Sequence, residues 1–239
     1  MSHIHLPDGV LPVWLWVSGY IAVILIWAIL LRFVKEANLR KRLPLLGMMA
    51  AVMVLGASVE IIPIAYHVNL TVISGILLGP SLIFLATFVV NVILALFGHG
   101  GLTVIGLNTL VLSIEGVAGY FLFRFFWRLL RRFTMAAFFA TFLALAASTF
   151  AMIGVVSLGT AHFEELIHQE RDGIIGFEFG KEKEAHPTGA VSEKEVDLKR
   201  FISIILPLGF IGWVLEGIIT VLVARYIQRL RPDLLRLEG

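Results

Sequence analysis

The first nine residues, Met1-Ser2-His3-Ile4-His5-Leu6-Pro7-Asp8-Gly9, set a terminal amine close to two imidazoles. Such a start can offer a metal an amine nitrogen, ionised peptide nitrogens and an imidazole in one plane. Nitrogen-rich, square-planar sets favour Ni(II) or Cu(II) over Zn(II), Mg(II) or Ca(II). Two registers are open. With Met1 retained, Met1-Ser2-His3 can close the nitrogen plane alone. With Met1 removed, which the small Ser2 favours, Ser2-His3 leaves one corner of the plane for an outside ligand. His67, in the turn Pro63-Ile64-Ala65-Tyr66-His67, is the natural outside ligand. His5 and His99 are further candidates, either as ligands or as groups that orient one. A ligating imidazole usually needs a partner on its second ring nitrogen, and Asn69 and Asn108 are candidates for that role.

Three carboxylates fall at or inside apolar runs: Glu60, Glu115 and Glu216. Ionisable groups at membrane depth are costly and mark functional sites by default, although a polar contact between helices accounts equally well for Glu115 and Glu216. Direct metal ligation by these two is disfavoured, because residue counting puts them well below the outer turn. The Gly98–Gly101 segment lacks the lysine and serine of a nucleotide-binding loop. The chain has no HExxH helix, no GxSxG elbow and no DxxD pair. Neither an enzyme nor an intrinsic ATPase is expected, and no resident cofactor.

The elements that must position these residues are membrane helices. The 239 residues are 59% hydrophobic and 15% charged, with no cysteine, against about 25% charged in ordinary soluble domains. Disulfides and thiolate metal sites are excluded, and nothing supports a nucleic-acid partner. A crossing helix needs about 20 mostly apolar residues. That ruler gives spans near Val13–Phe33, Leu43–Ile62, a short one at about 70–79, then 81–97, Thr103–Phe123, Phe133–Gly159 and Phe201–Ile227. Gly79-Pro80 cuts the third from the fourth, and Gly98–Gly101 reads as a turn. The expected fold is an all-α, polytopic membrane bundle of about seven transmembrane helices, forming a single domain over 1–239.

Charge orients it. Loops rich in Lys and Arg stay in the cytoplasm, and the basic clusters Arg32–Arg42, Arg124–Arg132 and Arg225–Arg236 all fall inside if the amino terminus lies outside. The absence of a basic region before the first span reads as an uncleaved, outside-starting segment rather than a signal peptide. His3, His5, His67, His99, His162, His168 and His186 then share the outer side, where an importer meets its cargo. An outer polar loop is expected at about 160–200, with little fixed structure over Gly180–Lys199 because of its alternating charge and Pro187.

Taken together, these segments resemble a known family, the metal-specific substrate-binding (S) component of cobalt/nickel energy-coupling-factor transporters, of the CbiM/NikM type. The likeness runs through His5-Leu6-Pro7-Asp8-Gly9, then His67, Gly75-Ile76-Leu77-Leu78-Gly79-Pro80, and Leu96-Phe97-Gly98-His99-Gly100-Gly101-Leu102-Thr103 with Gly106 and Asn108. It ends at Arg231-Pro232-Asp233-Leu234-Leu235. The resemblance implies an outer amino terminus tucked into the bundle. It also implies Co2+ or Ni2+ as transported cargo, held by the terminal amine of Met1 or Ser2, an early histidine and His67. His3 or His5 can take the early position, since the family opens Met-His directly and this chain does not. His99 stands where the family usually has Asp. Asp8, Asn69 and Asn108 are expected to support the site or the fold. The implied partners are a transmembrane coupling (T) subunit, a cytoplasmic ATPase pair and a small accessory membrane subunit, in the inner (cytoplasmic) membrane. A membrane-embedded metal sensor or scaffold without transport activity is the competing reading.

Overall fold

The computed structural model describes residues 11, 13–33, 36–58, 60–61, 66–98, 100–159, 190–231 and 234. Seven helices run in chain order among them: α1 (Val13–Phe33), α2 (Glu36–Ser58), α3 (Thr71–Leu78), α4 (Pro80–Leu96), α5 (Ile105–Leu130), α6 (Phe133–Gly159) and α7 (Ala190–Leu230). A two-residue hairpin, β1 (Glu60–Ile61) and β2 (Tyr66–His67), lies between α2 and α3. Its antiparallel register sets Glu60 opposite His67 and Ile61 opposite Tyr66. The fold is an all-helical membrane bundle, in which α1, α5, α6 and the Leu206–Leu230 part of α7 are long and apolar enough to cross a bilayer.

Apolar patterning found the helices, and polar helix formers extended three of them. α1 and α6 begin and end where hydropathy places them. α2 begins seven residues before the expected Leu43, because Glu36, Ala37, Leu39, Arg40 and Lys41 favour helix although the stretch is too charged to read as a membrane span. α5 continues past Phe123 through Arg124 and Arg128 to Leu130. It stops where Arg131 turns left-handed (φ 52°) and donates its N–H to the Trp127 carbonyl at 3.1 Å. α7 begins at Ala190, so the expectation of little fixed structure does not hold for residues 190–199; Glu193, Lys194 and Glu195 are good helix formers in spite of their charge. Residues 160–189 lie outside the described residues, and so does the expected topology of the amino terminus.

α5 is the hub, packed against α1, α3, α4 and α6, while α7 closes the bundle against α6 and touches α3. The main core draws on α2 through α7, and a smaller cluster of Leu11, Leu15, Val104, Leu107, Met152 and Val156 joins α1, α5 and α6. Small residues set the helix spacing, as they do where lipid supplies no hydrophobic drive between helices. Ala136, Ala137, Ala140 and Ala144 line the buried face of α6. A Cβ added to Gly75 of α3 would stand 2.1 Å from the Gly116 carbonyl oxygen of α5. Large apolar side chains face outward instead, with Ile24, Leu25, Phe121 and Leu222 each more than half exposed. That inside-out pattern is what lipid contact demands.

The short α3 is tied at both ends. At its carboxyl end Arg42 Nη1 donates to the Leu78 carbonyl at 3.2 Å, filling one of the acceptors a helix leaves open. Gly79 (φ 80°) and Pro80 at the first turn of α4 then redirect the chain. Because Gly75 and Gly116 meet backbone to backbone, Gly75→Val should destabilise the bundle by about 1–3 kcal/mol through overpacking. A lower midpoint in detergent thermal unfolding is the expected readout, with the parent value arguing against a tight α3–α5 contact.

Candidate metal centre

Between β2 and α3 the chain runs through Val68, Asn69 and Leu70 outside helix and strand, and Asn69 is buried in the bundle. Gly56 of α2 makes room for it: a Cβ there would lie 2.6 Å from the Val68 carbonyl oxygen. Backbone outside helix and sheet has no regular hydrogen-bond ladder, so its buried N–H and C=O groups need other partners. The sequence supplies three. The Asn69 N–H donates to Glu216 Oε1 at 2.5 Å. The Asn69 side-chain Nδ2 donates to Glu115 Oε1, also at 2.5 Å. Asn69 Oδ1 in turn accepts the Thr71 N–H at 2.8 Å, a local side-chain bond that starts α3.

Glu115 and Glu216 come from the middle of α5 and α7, and both are fully buried. Ser148 of α6 also hydrogen-bonds the Glu115 carboxyl. Four helices therefore converge on one asparagine and its two acceptors. The polar chain continues across the α4–α5 interface, where Thr87 and Ser113 share a hydroxyl bond at 2.7 Å and Asn91 Nδ2 donates to the Thr87 carbonyl at 2.9 Å.

Directly beside this cluster is a cavity of about 210 Å³. His67, Val68, Asn69 and Thr71 form one wall. Met53 and Ala57 of α2, Val90 and Leu94 of α4 and Leu112 of α5 form the apolar remainder, with Gly100 at the rim. Gly98 and Gly100 both have positive φ, 78° and 99°, a conformation that glycine adopts at little steric cost. The expected turn is thus present, and it brings its backbone to the cavity.

Of the residues singled out from sequence, His67 and Asn69 meet at this cavity. Asn108 is buried in the first turn of α5, its N–H bonded to the Val104 carbonyl, and does not line it. Met1, Ser2, His3, His5, Asp8 and His99 lie outside the described residues. Among those described, no three His, Cys, Asp or Glu side chains gather as a ready metal site. Sequence reasoning treated Glu115 and Glu216 as separate mid-membrane acids and missed that they share Asn69. The available signal was a buried-looking Asn just beyond a proline-containing turn, with two acids in other spans and no Lys or Arg at matching depth.

The bundle, its half-length α3 and the cavity beside His67 and Asn69 define a helical membrane protein with a small internal site. The chain belongs to the cobalt uptake substrate-specific transmembrane (CbiM) family, which matches residues 5–234. It is 33% identical to the cobalt transport protein CbiM of Geobacter sulfurreducens over 98% of this chain and 62% of that protein. It is 30% identical to the cobalt transport protein CbiM of Sorangium cellulosum over 97% of this chain and 94% of that protein. A fused cobalt transport protein, CbiMQ, from Methanocorpusculum labreanum is 28% identical over 96% of this chain, which spans 36% of the fused protein's length. In fold it is similar to the crystal structure of a truncated transition metal transporter, at 19% identity and a TM-score of 0.68, covering 95% of this chain and 99% of that one.

Asn69→Ala would leave the Thr71 N–H and the two carboxyls short of their shared partner. The expected loss is about 1–3 kcal/mol of stability, the usual penalty for stranded buried polar groups, measured as a lower unfolding midpoint. An unchanged midpoint would mean that the cluster does not hold the segment between β2 and α3.

Proposed function

We propose that this chain captures Co2+ or Ni2+ on the outer side of the inner membrane, as the S component of an energy-coupling-factor importer. The observation that carries this reading is His67 in the wall of a cavity of about 210 Å³, in a chain of the cobalt uptake family. That volume is below the roughly 300–1,000 Å³ typical of pockets for organic ligands, and it suits an ion with a few bound groups. His67 contributes one imidazole. The remaining donors are the amine of Met1 or Ser2, His3 or His5, and His99, with Asp8 as a supporting group. A nitrogen set of this kind discriminates by geometry against metals that prefer oxygen ligands or a tetrahedron.

Uphill uptake needs an energy source, and the proposed partners supply it: a coupling subunit in the membrane, two cytoplasmic ATPases and a small accessory membrane protein. The fused cobalt transport relative supports association with other transport subunits. The cytoplasmic basic segments are the proposed contact surface, in addition to their role in fixing orientation.

Titration of the purified full chain with Co(II) and Ni(II), followed by calorimetry and native mass spectrometry, tests the reading. His67→Ala should weaken binding by at least about tenfold, the loss of one ligand's share. Acetylating the mature amine should weaken it comparably, and Zn(II) should bind less well than either metal. Parent affinity in His67→Ala would remove the site, and metal binding without uptake when the partners are co-expressed would favour the sensor reading. Affinity should also fall in acid, because each ligand nitrogen must shed its proton before it can coordinate.

A further inference from the structure

Coordination by His67 leaves the two buried carboxyls behind it without a stated role. We infer that Glu115 and Glu216 are positioning residues for the metal centre, acting through Asn69 to fix the segment 67–70 and with it the direction from which His67 enters the cavity. The inference rests on the reading of His67 as a ligand and adds to it the device that holds the ligand in place.

The geometry separates this role from direct ligation. Neither Glu115 nor Glu216 is among the described residues that line the cavity, whereas Asn69, to which both are bonded, is. Each carboxyl presents an Oε1 to an Asn69 donor, one to the backbone and one to the side chain. Asn69 is thus clamped from α5 and α7, and its own Oδ1 is committed to the first N–H of α3. His67 ends β2 two residues before Asn69, and both line the cavity. A segment held at Asn69 by three hydrogen bonds has little freedom left at position 67, and ligand precision depends on such support.

Packing alone would not do the same work. Non-helical backbone buried among membrane helices cannot borrow water for its N–H groups, so a purely apolar lining would leave the segment unsatisfied and free to shift. A carboxyl is an expensive acceptor at this depth, and its use twice on one asparagine marks a position that has to be held.

The test is Co(II) titration of the full chain in lipid nanodiscs, reading affinity by calorimetry and coordination by the visible absorption bands of bound Co(II). Glu216→Met keeps length and removes the acceptor, which strands the buried Asn69 N–H, so binding is read only on folded, monodisperse protein. The substitution should weaken Co(II) binding by about 10–100-fold, the usual effect of losing a group that orients a ligand, and shift the bands. Glu216→Gln keeps an oxygen acceptor and should restore both affinity and spectrum. If Glu216→Met is not recovered as monodisperse protein, Glu115→Met, which releases the Asn69 side chain and leaves its N–H bonded to Glu216, is read in the same way. Parent affinity and parent bands in the methionine variants would overturn the inference. So would a glutamine variant as weak as methionine, which would make charge rather than hydrogen-bond acceptance the function. Loss of binding in His67→Ala with no effect of either methionine variant would sink this inference alone. Parent binding in His67→Ala would remove the ligand reading and this inference with it.

Discussion

Among packed membrane helices, a backbone that leaves the helical path loses its internal hydrogen bonds where no water can replace them. Residues 68–70 do this, and the rest of the site follows from how their polar groups are satisfied. The solution here concentrates on Asn69, which has donors on both backbone and side chain and an acceptor to spare. Glu216 takes the first donor, Glu115 the second, and the Thr71 N–H takes the acceptor. One residue therefore ties the outer turn to α5, α7 and α3 together. The buried acids answer a demand made by the turn, and in doing so they fix the wall on which His67 stands.

That arrangement requires close helices. The segment before α3 passes within reach of α2 because Gly56 has no side chain, and α3 meets α5 through Gly75 and Gly116. Larger residues at these points would push α3 outward and lengthen the Asn69 bonds, which are short-range and steeply dependent on distance and angle. The hydroxyl and amide contacts of Thr87, Asn91 and Ser113 serve the same end between α4 and α5, where polar glue replaces hydrophobic drive. Spacing and polarity are thus two aspects of one design: small residues bring the backbones together, and the polar groups fill what the approach exposes.

Much of this was legible in the sequence, and the remainder was hidden for physical reasons. Spans such as Val13–Phe33 and Phe133–Gly159 were read to the residue because lipid imposes apolarity along their whole length. The Gly79-Pro80 break and the Gly98–Gly101 turn were legible because only certain residues accept those dihedral angles. Helix ends in water were not: α2 and α7 begin in charged sequence that favours helix without being apolar. His67 was legible as a residue of the turn between the second and third helices. The link from Asn69 to Glu115 and Glu216 was not, since it joins residues 46 and 147 positions apart and depends on which faces of three helices meet. Hydropathy reports depth, and it carries no information about azimuth.

The electrostatics of the cavity bring these strands together. Thr71 opens α3 and also lines the cavity, so the amino end of a helix, with its partial positive charge, faces the space. Taken alone, that end would repel a cation. Glu115 and Glu216 hydrogen-bond Asn69, whose Oδ1 accepts the first N–H of α3, so that end of the helix already has an acceptor. Neither carboxyl is among the described residues that line the cavity, whereas Asn69, to which both are bonded, is. A carboxylate ligand would draw the site toward oxygen-preferring metals such as Mg2+ and Ca2+. On the proposed reading, holding the acids one residue back leaves first contact to the imidazole of His67, which favours nitrogen-seeking ions.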